Sequence, residues 1–187
     1  MILTPDNEYA AVLDACVLAP MPLCDTLLRC AEEPALFRVL WSKETLAEVA
    51  RTIIKFGYTP EQAEGRLRGM REAFPEAEVV FPNQLLEGAP ALPDPKDRHV
   101  VAAAIHERAN VIVTANLKDF PQELLLPHHI LVSSPDDFLV HQYHLNPERL
   151  LEVIDTQASG IRQQRKDILQ RLRKGVPKFV ALLEKQN

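Results

Sequence analysis

The segment Tyr9-Ala-Ala-Val-Leu-Asp-Ala-Cys-Val-Leu18 places an acidic residue at the end of a short apolar run. Residues 9–13 have the length and the continuous apolar character of a strand that is buried on both faces of a parallel sheet. A carboxylate at the end of such a strand is costly to bury unless something compensates its charge. We therefore expect Asp14 either to bind a cation or to cap the helix that follows it.

Strand-like and helix-like patterns alternate along the rest of the chain to about residue 145. Further strands are predicted at residues 37–41, 78–81, 111–114 and 130–132. Helices are predicted at residues 23–31, 42–55, 59–74, 94–108, 134–143 and after Asn146-Pro147, and residues 88–95 are predicted to form a Pro-rich loop. This alternation is typical of an α/β fold, and we predict a three-layer α/β/α arrangement around a central parallel sheet.

Several of the predicted helices carry a recognisable start signal. Ser42 is a good N-cap residue, and Thr59-Pro60 with Gln62 fits a capping box. Asp94 before Pro95 fits the same capping role for the next helix. Asp97 is then not needed as a cap, which leaves it available to bind a ligand.

The alternation of strands and helices stops near residue 146, and only helical patterns follow. We predict two units, an α/β domain of residues 1–145 and a helical C-terminal extension of residues 146–187. The apolar residues Ile161, Ile168, Leu169 and Leu172 of this extension share one face, which we expect to be buried.

The net charge of −5 is unevenly distributed over the 187 residues. Residues 161–187 contain eight Lys or Arg and two Asp or Glu, a balance of +6, so residues 1–160 carry −11. An acidic body with a basic tail fits a carboxylate site beside a phosphate-binding arm. A solvated amphipathic helix would give the same pattern, and charge alone does not exclude it.

The three cysteines, Cys16, Cys24 and Cys30, are crowded near the start of the chain and include no CxxC motif. This pattern predicts free thiols in a reducing compartment and argues against a disulfide framework or a zinc site. No segment approaches the roughly 20 apolar residues that a membrane span requires. With no signal peptide expected either, we predict a cytoplasmic protein without a membrane partner.

Polar side chains follow the strands at the edge of the sheet where parallel strands place their functional sites. Asp14 follows the first strand, Thr114, Asn116 and Asp119 follow the strand at 111–114, and Glu48 lies near the start of a helix. Each has a structural alternative. Glu48 could pair with Arg51, Asn116 could form an Asx turn, and Asp119 could pair with Lys118 or cap a turn.

Four segments together resemble the PIN-domain ribonucleases, a family that includes many toxins of bacterial toxin–antitoxin pairs, the VapC-like proteins. They are VLDACVL (12–18), SKETLAEVART (42–52), LPDPKDRHVVAAAI (92–105) and VIVTANLKDFP (111–121). The resemblance implies four catalytic, metal-binding acids, Asp14, Glu48, Asp97 and Asp119, supported by Thr114 and Asn116. The chain departs from the pattern at Cys16, where such domains often carry Asn, Ser or Thr, which are better hydrogen-bonding partners than a thiol.

The resemblance implies an endoribonuclease that hydrolyses RNA phosphodiester bonds and leaves a 5′-phosphate and a 3′-hydroxyl. Ligands that are all oxygens suit Mg²⁺ or Mn²⁺ rather than zinc. The expected partners are RNA and a cognate antitoxin protein, and a homodimer stays open. The alternatives are an RNA-processing PIN nuclease without a toxin role and a PIN-fold RNA-binding module that has lost catalysis.

An acidic cleft repels RNA, so basic residues elsewhere must supply affinity for the phosphates. We predict that the C-terminal extension does this through Arg162, Arg165, Lys166, Arg171, Arg173 and Lys174. The rival interpretation is that the basic tail docks an acidic or amphipathic partner such as an antitoxin segment.

Overall fold

In the computed structural model, which describes residues 9–185, five strands form one parallel sheet in the order β3-β2-β1-β4-β5. The strands are β1 (Ala10–Leu13), β2 (Arg38–Ser42), β3 (Glu78–Val79), β4 (Val111–Val113) and β5 (Leu131–Ser133). The predicted α/β fold with a central parallel sheet is confirmed. The strand that ends at Asp14 lies at the centre of the sheet.

Helices connect and cover the strands. Within the described residues they are α1 (Ala15–Leu18), α2 (Leu23–Ala31), α3 (Lys43–Lys55), α4 (Pro60–Ala73), α5 (Asn83–Gly88), α6 (Arg98–His106), α7 (Gln122–Leu125), α8 (Pro135–Leu145), α9 (Pro147–Gly160), α10 (Arg165–Leu172) and α11 (Pro177–Glu184). Short 3-10 turns lie at Pro95–Asp97, Leu117–Asp119 and Leu126–His128.

The predicted helix caps are formed. The Ser42 hydroxyl accepts a hydrogen bond from the Thr45 N–H at 3.0 Å and begins α3. Thr59 and Gln62 exchange both bonds of a capping box at the start of α4, at 3.2 and 2.9 Å. Each cap satisfies backbone N–H groups that the helix itself leaves unpaired.

The structure corrects the sequence prediction in several details. The helix predicted at 94–108 begins as a 3-10 turn and ends at His106, before Arg108 at φ 52°. The short helix α5 was not predicted. Ile161, which was expected to lie on the buried face of the extension, is 49% exposed because it follows the last residue of α9.

The hydrophobic core lies on both faces of the sheet because successive strand residues point in opposite directions. Ala11 and Leu13 of β1 pack with Trp41 on one face. Ala10 and Val12 pack with Ile112 and helix α6 on the other. With both faces covered, only the ends of the strands remain for a functional site.

The C-terminal helices pack into the core of the first face. Ile168, Leu172, Phe179 and Leu183 belong to the same buried cluster as Leu13 of β1. The extension therefore shares a continuous hydrophobic core with the α/β layers.

The buried carboxylate of Asp136, in the first turn of α8, joins α8 to α11. It accepts hydrogen bonds from the backbone N–H groups of Lys178 and Phe179 at 3.1 and 2.9 Å. Asp136 thus caps the start of a helix about 40 residues further along the chain, where a negative charge is favourable.

The outer edge of β5 is occupied by a side chain. The Gln122 amide donates to the Ile130 carbonyl at 2.9 Å and accepts from the Val132 N–H at 2.8 Å. These two bonds replace those that a neighbouring strand would make.

Cys16, Cys24 and Cys30 are all free thiols, as the sequence predicted. Between residues 9 and 185, no helix has the length and apolar character needed to cross a membrane.

Candidate active site

Asp14 lies at the carboxyl end of β1 and is only 5% exposed. Its backbone N–H donates to the Val113 carbonyl of β4 at 3.1 Å, which fixes the start of the turn. One carboxylate oxygen accepts from the Ala15 N–H at 2.6 Å, so Asp14 does cap the following helix. The other accepts from the Thr114 hydroxyl at 2.8 Å.

Cys16 completes the support of Asp14. Its thiol lies 3.0 Å from the same Asp14 oxygen and 3.3 Å from the Thr114 hydroxyl, and its sulfur accepts the Ala115 N–H at 3.1 Å. Burial, followed by the charge of Asp14, raises the pKa of Cys16 to about 12. The thiol is therefore protonated and donates a hydrogen bond to Asp14. Cys16 thus contacts the acid even though a thiol departs from the family pattern at this position.

The pKa of Asp97 depends on its burial and on the acids around it. Burial raises its pKa from 3.8 to about 7, and the charges of four neighbouring acids act in the same direction: Asp14, Asp94, Glu48 and Asp119. The other three predicted acids thus lie within electrostatic reach of Asp97. Asp94 joins them, a contribution to the cluster that the sequence prediction missed.

Asp94 and Asp97 have different structural roles at the start of the helical segment. The Asp94 side chain accepts from the Lys96 N–H at 2.9 Å and caps the 3-10 turn, as predicted. Asp97 stands at the start of α6 and makes no capping hydrogen bond with its side chain. Its carboxylate is therefore not committed to holding the helix start.

Glu48 lies in α3, facing α6. Its carboxylate is 3.5 Å from Nε2 of His99 and 3.8 Å from the exposed Arg51, the pairing that the sequence offered as an alternative. His99 is 5% exposed, and its Nδ1 is 2.8 Å from the Ser42 hydroxyl. This connection from Ser42 to Glu48 was missed, because Ser42 and His99 are 57 positions apart.

The loop after β4 brings Asp119 towards the cluster. The Asn116 N–H donates to the Thr114 hydroxyl at 3.0 Å, and the Asp119 N–H donates to the Asn116 carbonyl at 2.9 Å. The Asn116 side chain is exposed. Thr114 therefore supports both Asp14 and the turn that leads to Asp119.

The donor set fits a hard divalent cation, because carboxylate oxygens are the ligands that Mg²⁺ and Mn²⁺ prefer. Burial and the charges of the neighbouring acids together disfavour the ionised form of Asp97, and a bound cation would offset both effects. The side chains do not form a ready-made coordination shell. Across residues 9–185, no three His, Cys, Asp or Glu side chains are grouped closely enough to hold one ion.

The basic residues of the C-terminal helices fall into two groups. Arg165 pairs with Asp155 at 2.7 Å, and Arg173 pairs with Glu184. The other four side chains predicted to bind RNA are exposed and, as far as residues 9–185 show, form no ion pair: Arg162, Lys166, Arg171 and Lys174.

Comparison with known proteins adds independent findings. The family model described as "PIN domain" matches residues 10–118, and that described as "VapC50 C-terminal domain" matches residues 135–185. The protein named "Putative ribonuclease VapC50" of Mycobacterium tuberculosis is 56% identical over 59 residues. That segment spans 32% of this chain and 35% of the relative. No solved structure matches the chain significantly.

The PIN-domain match covers more than half of the chain and includes Asp14, Glu48 and Asp97 together with β1, β2 and β4. The parallel sheet and the acids at its carboxyl edge agree with that match. The chain belongs to the PIN-domain family.

Proposed function

We propose that this chain is a divalent-metal-dependent endoribonuclease and the toxin of a toxin–antitoxin pair. The observation that carries the proposal is the buried carboxylate of Asp14 at the carboxyl end of the central strand, in a site where the charges of Asp14, Glu48 and Asp119 add to burial in raising the pKa of Asp97. Such a cluster suits a cation and a phosphodiester substrate better than it suits a structural role. The partial match to the protein named "Putative ribonuclease VapC50" supports RNA as the substrate.

We assign the cation to Asp14, Glu48 and Asp97, with Asp119 at the margin of the site. A bound Mg²⁺ or Mn²⁺ would lower the pKa of a coordinated water and neutralise charge that develops on the phosphate. Thr114 and Cys16 fix the Asp14 carboxylate through their hydrogen bonds, so that it does not have to reorganise during the reaction. In this proposal Asp119 would orient the attacking water, and Asn116 would support the turn that carries Asp119.

The basic residues of the C-terminal extension would supply affinity for the RNA backbone. Arg162, Lys166, Arg171 and Lys174 are the side chains best suited to this role, because no carboxylate of residues 9–185 pairs with them. Arg165 and Arg173 would contribute less while their carboxylate partners hold them. We assign catalysis to residues 1–145 and RNA backbone binding to residues 146–187, in the cytoplasm.

Cleavage of RNA by the purified protein tests the catalytic proposal. We expect the wild type to cleave single-stranded RNA with added Mg²⁺ or Mn²⁺ and to be inactive with EDTA, while Asp14→Asn is inactive under both conditions. Thr26→Ser, which removes a buried methyl group and keeps the hydroxyl that donates to Gln157, is the folding control and retains cleavage. A wild type that binds RNA but never cleaves it would favour the binding-module alternative.

Co-expression tests the toxin role. We expect expression of the wild type to arrest growth, and a small protein encoded beside it to relieve the arrest and co-purify with the chain. Metal-dependent cleavage without growth arrest or such a partner would identify an RNA-processing nuclease instead.

A further inference from the structure

We propose that His99 is a positioning residue that holds Glu48 for metal binding, with Ser42 fixing the His99 ring from the opposite side. This inference rests on the proposed function, because it concerns a residue that acts on a candidate metal ligand. Three elements contribute to the arrangement. Ser42 ends β2, Glu48 lies in α3, and His99 lies in α6.

The tautomer of His99 follows from the hydrogen bonds of Ser42. The Ser42 hydroxyl accepts from the Thr45 N–H at 3.0 Å and lies 2.9 Å from the Thr45 hydroxyl. If it accepts from both groups, its two lone pairs are used and its own proton is free for Nδ1 of His99, 2.8 Å away. Nδ1 is then an acceptor, and the neutral ring carries its proton on Nε2.

The opposite tautomer would leave a bare Nε2 facing the Glu48 carboxylate at 3.5 Å. An ionised carboxylate only accepts hydrogen bonds, so two acceptors would face each other. The Nε2–H tautomer instead aims a donor at Glu48. Both contacts therefore favour the same proton position.

His99 Nε2 is a buried atom that makes no hydrogen bond within residues 9–185. A buried N–H group without a hydrogen-bond acceptor is energetically unfavourable, so a hydrogen bond from Nε2 of His99 to the Glu48 carboxylate would be stabilising. A modest turn of the Glu48 side chain would shorten the 3.5 Å separation to hydrogen-bond length. That bond would hold one Glu48 oxygen and leave the other for the cation.

His99 is better placed for this task than Arg51, the other neighbour of Glu48. The Arg51 side chain is 64% exposed and 3.8 Å away, so its interaction is weak and screened by water. The His99 ring is buried and fixed by Ser42, so it loses little freedom when it holds Glu48. In this role His99 would not contact the cation itself but would donate a hydrogen bond to a carboxylate that does.

Binding of Mn²⁺ to the full-length protein, measured by calorimetry, tests the proposal with two matched variants. In His99→Gln the side-chain amide reaches the former Nε2 position and can still donate to Glu48, whereas in His99→Asn it reaches only the Nδ1 position. We expect His99→Gln to keep Mn²⁺ affinity within about threefold of the wild type and His99→Asn to lose about tenfold. Arg51→Gln is the control and should leave affinity unchanged.

A double-mutant cycle shows whether the effect passes through Glu48. We expect the loss caused by His99→Asn to disappear in a Glu48→Gln background, where there is no longer a carboxylate to position. Equal affinities for the Asn and Gln variants, or a full loss from His99→Asn in the Glu48→Gln background, would overturn the role of His99. A wild type that fails to bind Mn²⁺ would instead refute the proposed metal-dependent function.

Discussion

The acids of the candidate site and those of the C-terminal helices differ in what surrounds them. The strand-end acids are Asp14, Glu48, Asp94, Asp97 and Asp119, and among them Asp97 is partly buried and has the other four acting on it as like charges. The C-terminal acids, Asp136, Asp137, Asp155 and Glu184, each have a positive or N–H partner.

The pKa shifts express this difference. The pKa of Asp97 is raised, whereas those of Asp137 and Asp155 are lowered, mainly by hydrogen bonds from Lys178 and Arg165 respectively. A carboxylate whose ionised form is stabilised by its neighbours, such as Asp137 or Asp155, contributes to the stability of the fold. A carboxylate whose ionised form is destabilised, such as Asp97, is typical of a catalytic or ligand-binding site.

Exchanging Asp97 for Asn should have the largest effect on activity. We expect Asp97→Asn to reduce RNA cleavage by roughly a thousandfold, since a metal contributes several kcal/mol of transition-state stabilisation. The thermal midpoint of the metal-free variant should equal or exceed that of the wild type, because a repulsive charge has been removed.

The control for Asp97 is Asp94→Ala, which removes a cap. It should cost about 1 kcal/mol in the free energy of unfolding and retain cleavage. The reverse pattern, with Asp94 essential and Asp97 dispensable, would show that their roles had been exchanged.

Removing the Asp136 carboxylate should have the largest effect on stability. Asp136→Ala leaves two N–H groups at the start of α11 without their charged acceptor, which should cost about 2 kcal/mol in urea unfolding. Asp137→Ala is the adjacent control. Its ion pair with Lys178 is largely exposed, so its loss should cost at most about 0.5 kcal/mol. Equal costs would show that burial of Asp136 adds nothing.

The RNA-arm proposal predicts a smaller effect on binding. Replacing Lys166, Arg171 and Lys174 with Gln should weaken RNA affinity by about tenfold at moderate salt, whatever the sequence. It should also reduce the salt dependence by a slope of roughly 0.7 for each phosphate that the variant no longer neutralises. Fluorescence anisotropy at two salt concentrations measures both quantities.

The variant Arg173→Gln is the internal comparison, because Glu184 already holds that guanidinium. Arg173→Gln should lower RNA affinity less than replacing Lys166, Arg171 or Lys174 singly with Gln does. A triple variant that keeps RNA affinity but loses an antitoxin would show that the tail docks a protein instead.

The metal-free protein should lose stability as pH rises. This effect is smaller than those above, and it follows from the raised pKa of Asp97. The Asp97 carboxyl titrates near pH 7 in the folded state and near 3.8 otherwise, so the folded state holds its proton more tightly between those values. Stability attributable to Asp97 is therefore lost as pH rises from about 4 to about 7. Allowing for solvent screening of a half-exposed group, the loss is on the order of 1 kcal/mol.

Thermal unfolding in EDTA at pH 5 and pH 8 measures this loss. Asp97→Asn should remove the part of the pH dependence that comes from Asp97, and saturating Mn²⁺ should oppose the loss at pH 8. A wild type and an Asp97→Asn variant with identical pH profiles would contradict the crowding of the strand-end acids.

The sequence predicted the strands and the caps because both depend on local patterns. Apolar runs mark β1 and β4, and the Ser42 and Thr59 caps lie within three residues of the groups they satisfy. Helix α5 escaped prediction because it has only six residues and no side-chain cap. Helix boundaries near Asp97 shifted because a 3-10 turn and an α-helix share the same start signals.

The contacts within the site were predictable only in part. The placement of Asp14 and Thr114 followed from parallel strands that end at one edge. The link from Ser42 through His99 to Glu48 depends on how α6 packs beside α3, which no local pattern encodes. Likewise, the apolar face of the extension was visible in the sequence, but its burial in the core beside Leu13 was not.

Gln122 limits how this protein can assemble. Because its amide already occupies the Ile130 carbonyl and the Val132 N–H, a strand from another molecule finds those two groups on the β5 edge taken. Polymerisation by sheet extension is thus discouraged on that side by a single side chain. An antitoxin or a second copy that approaches from that side would have to recognise side-chain surfaces rather than lengthen the sheet.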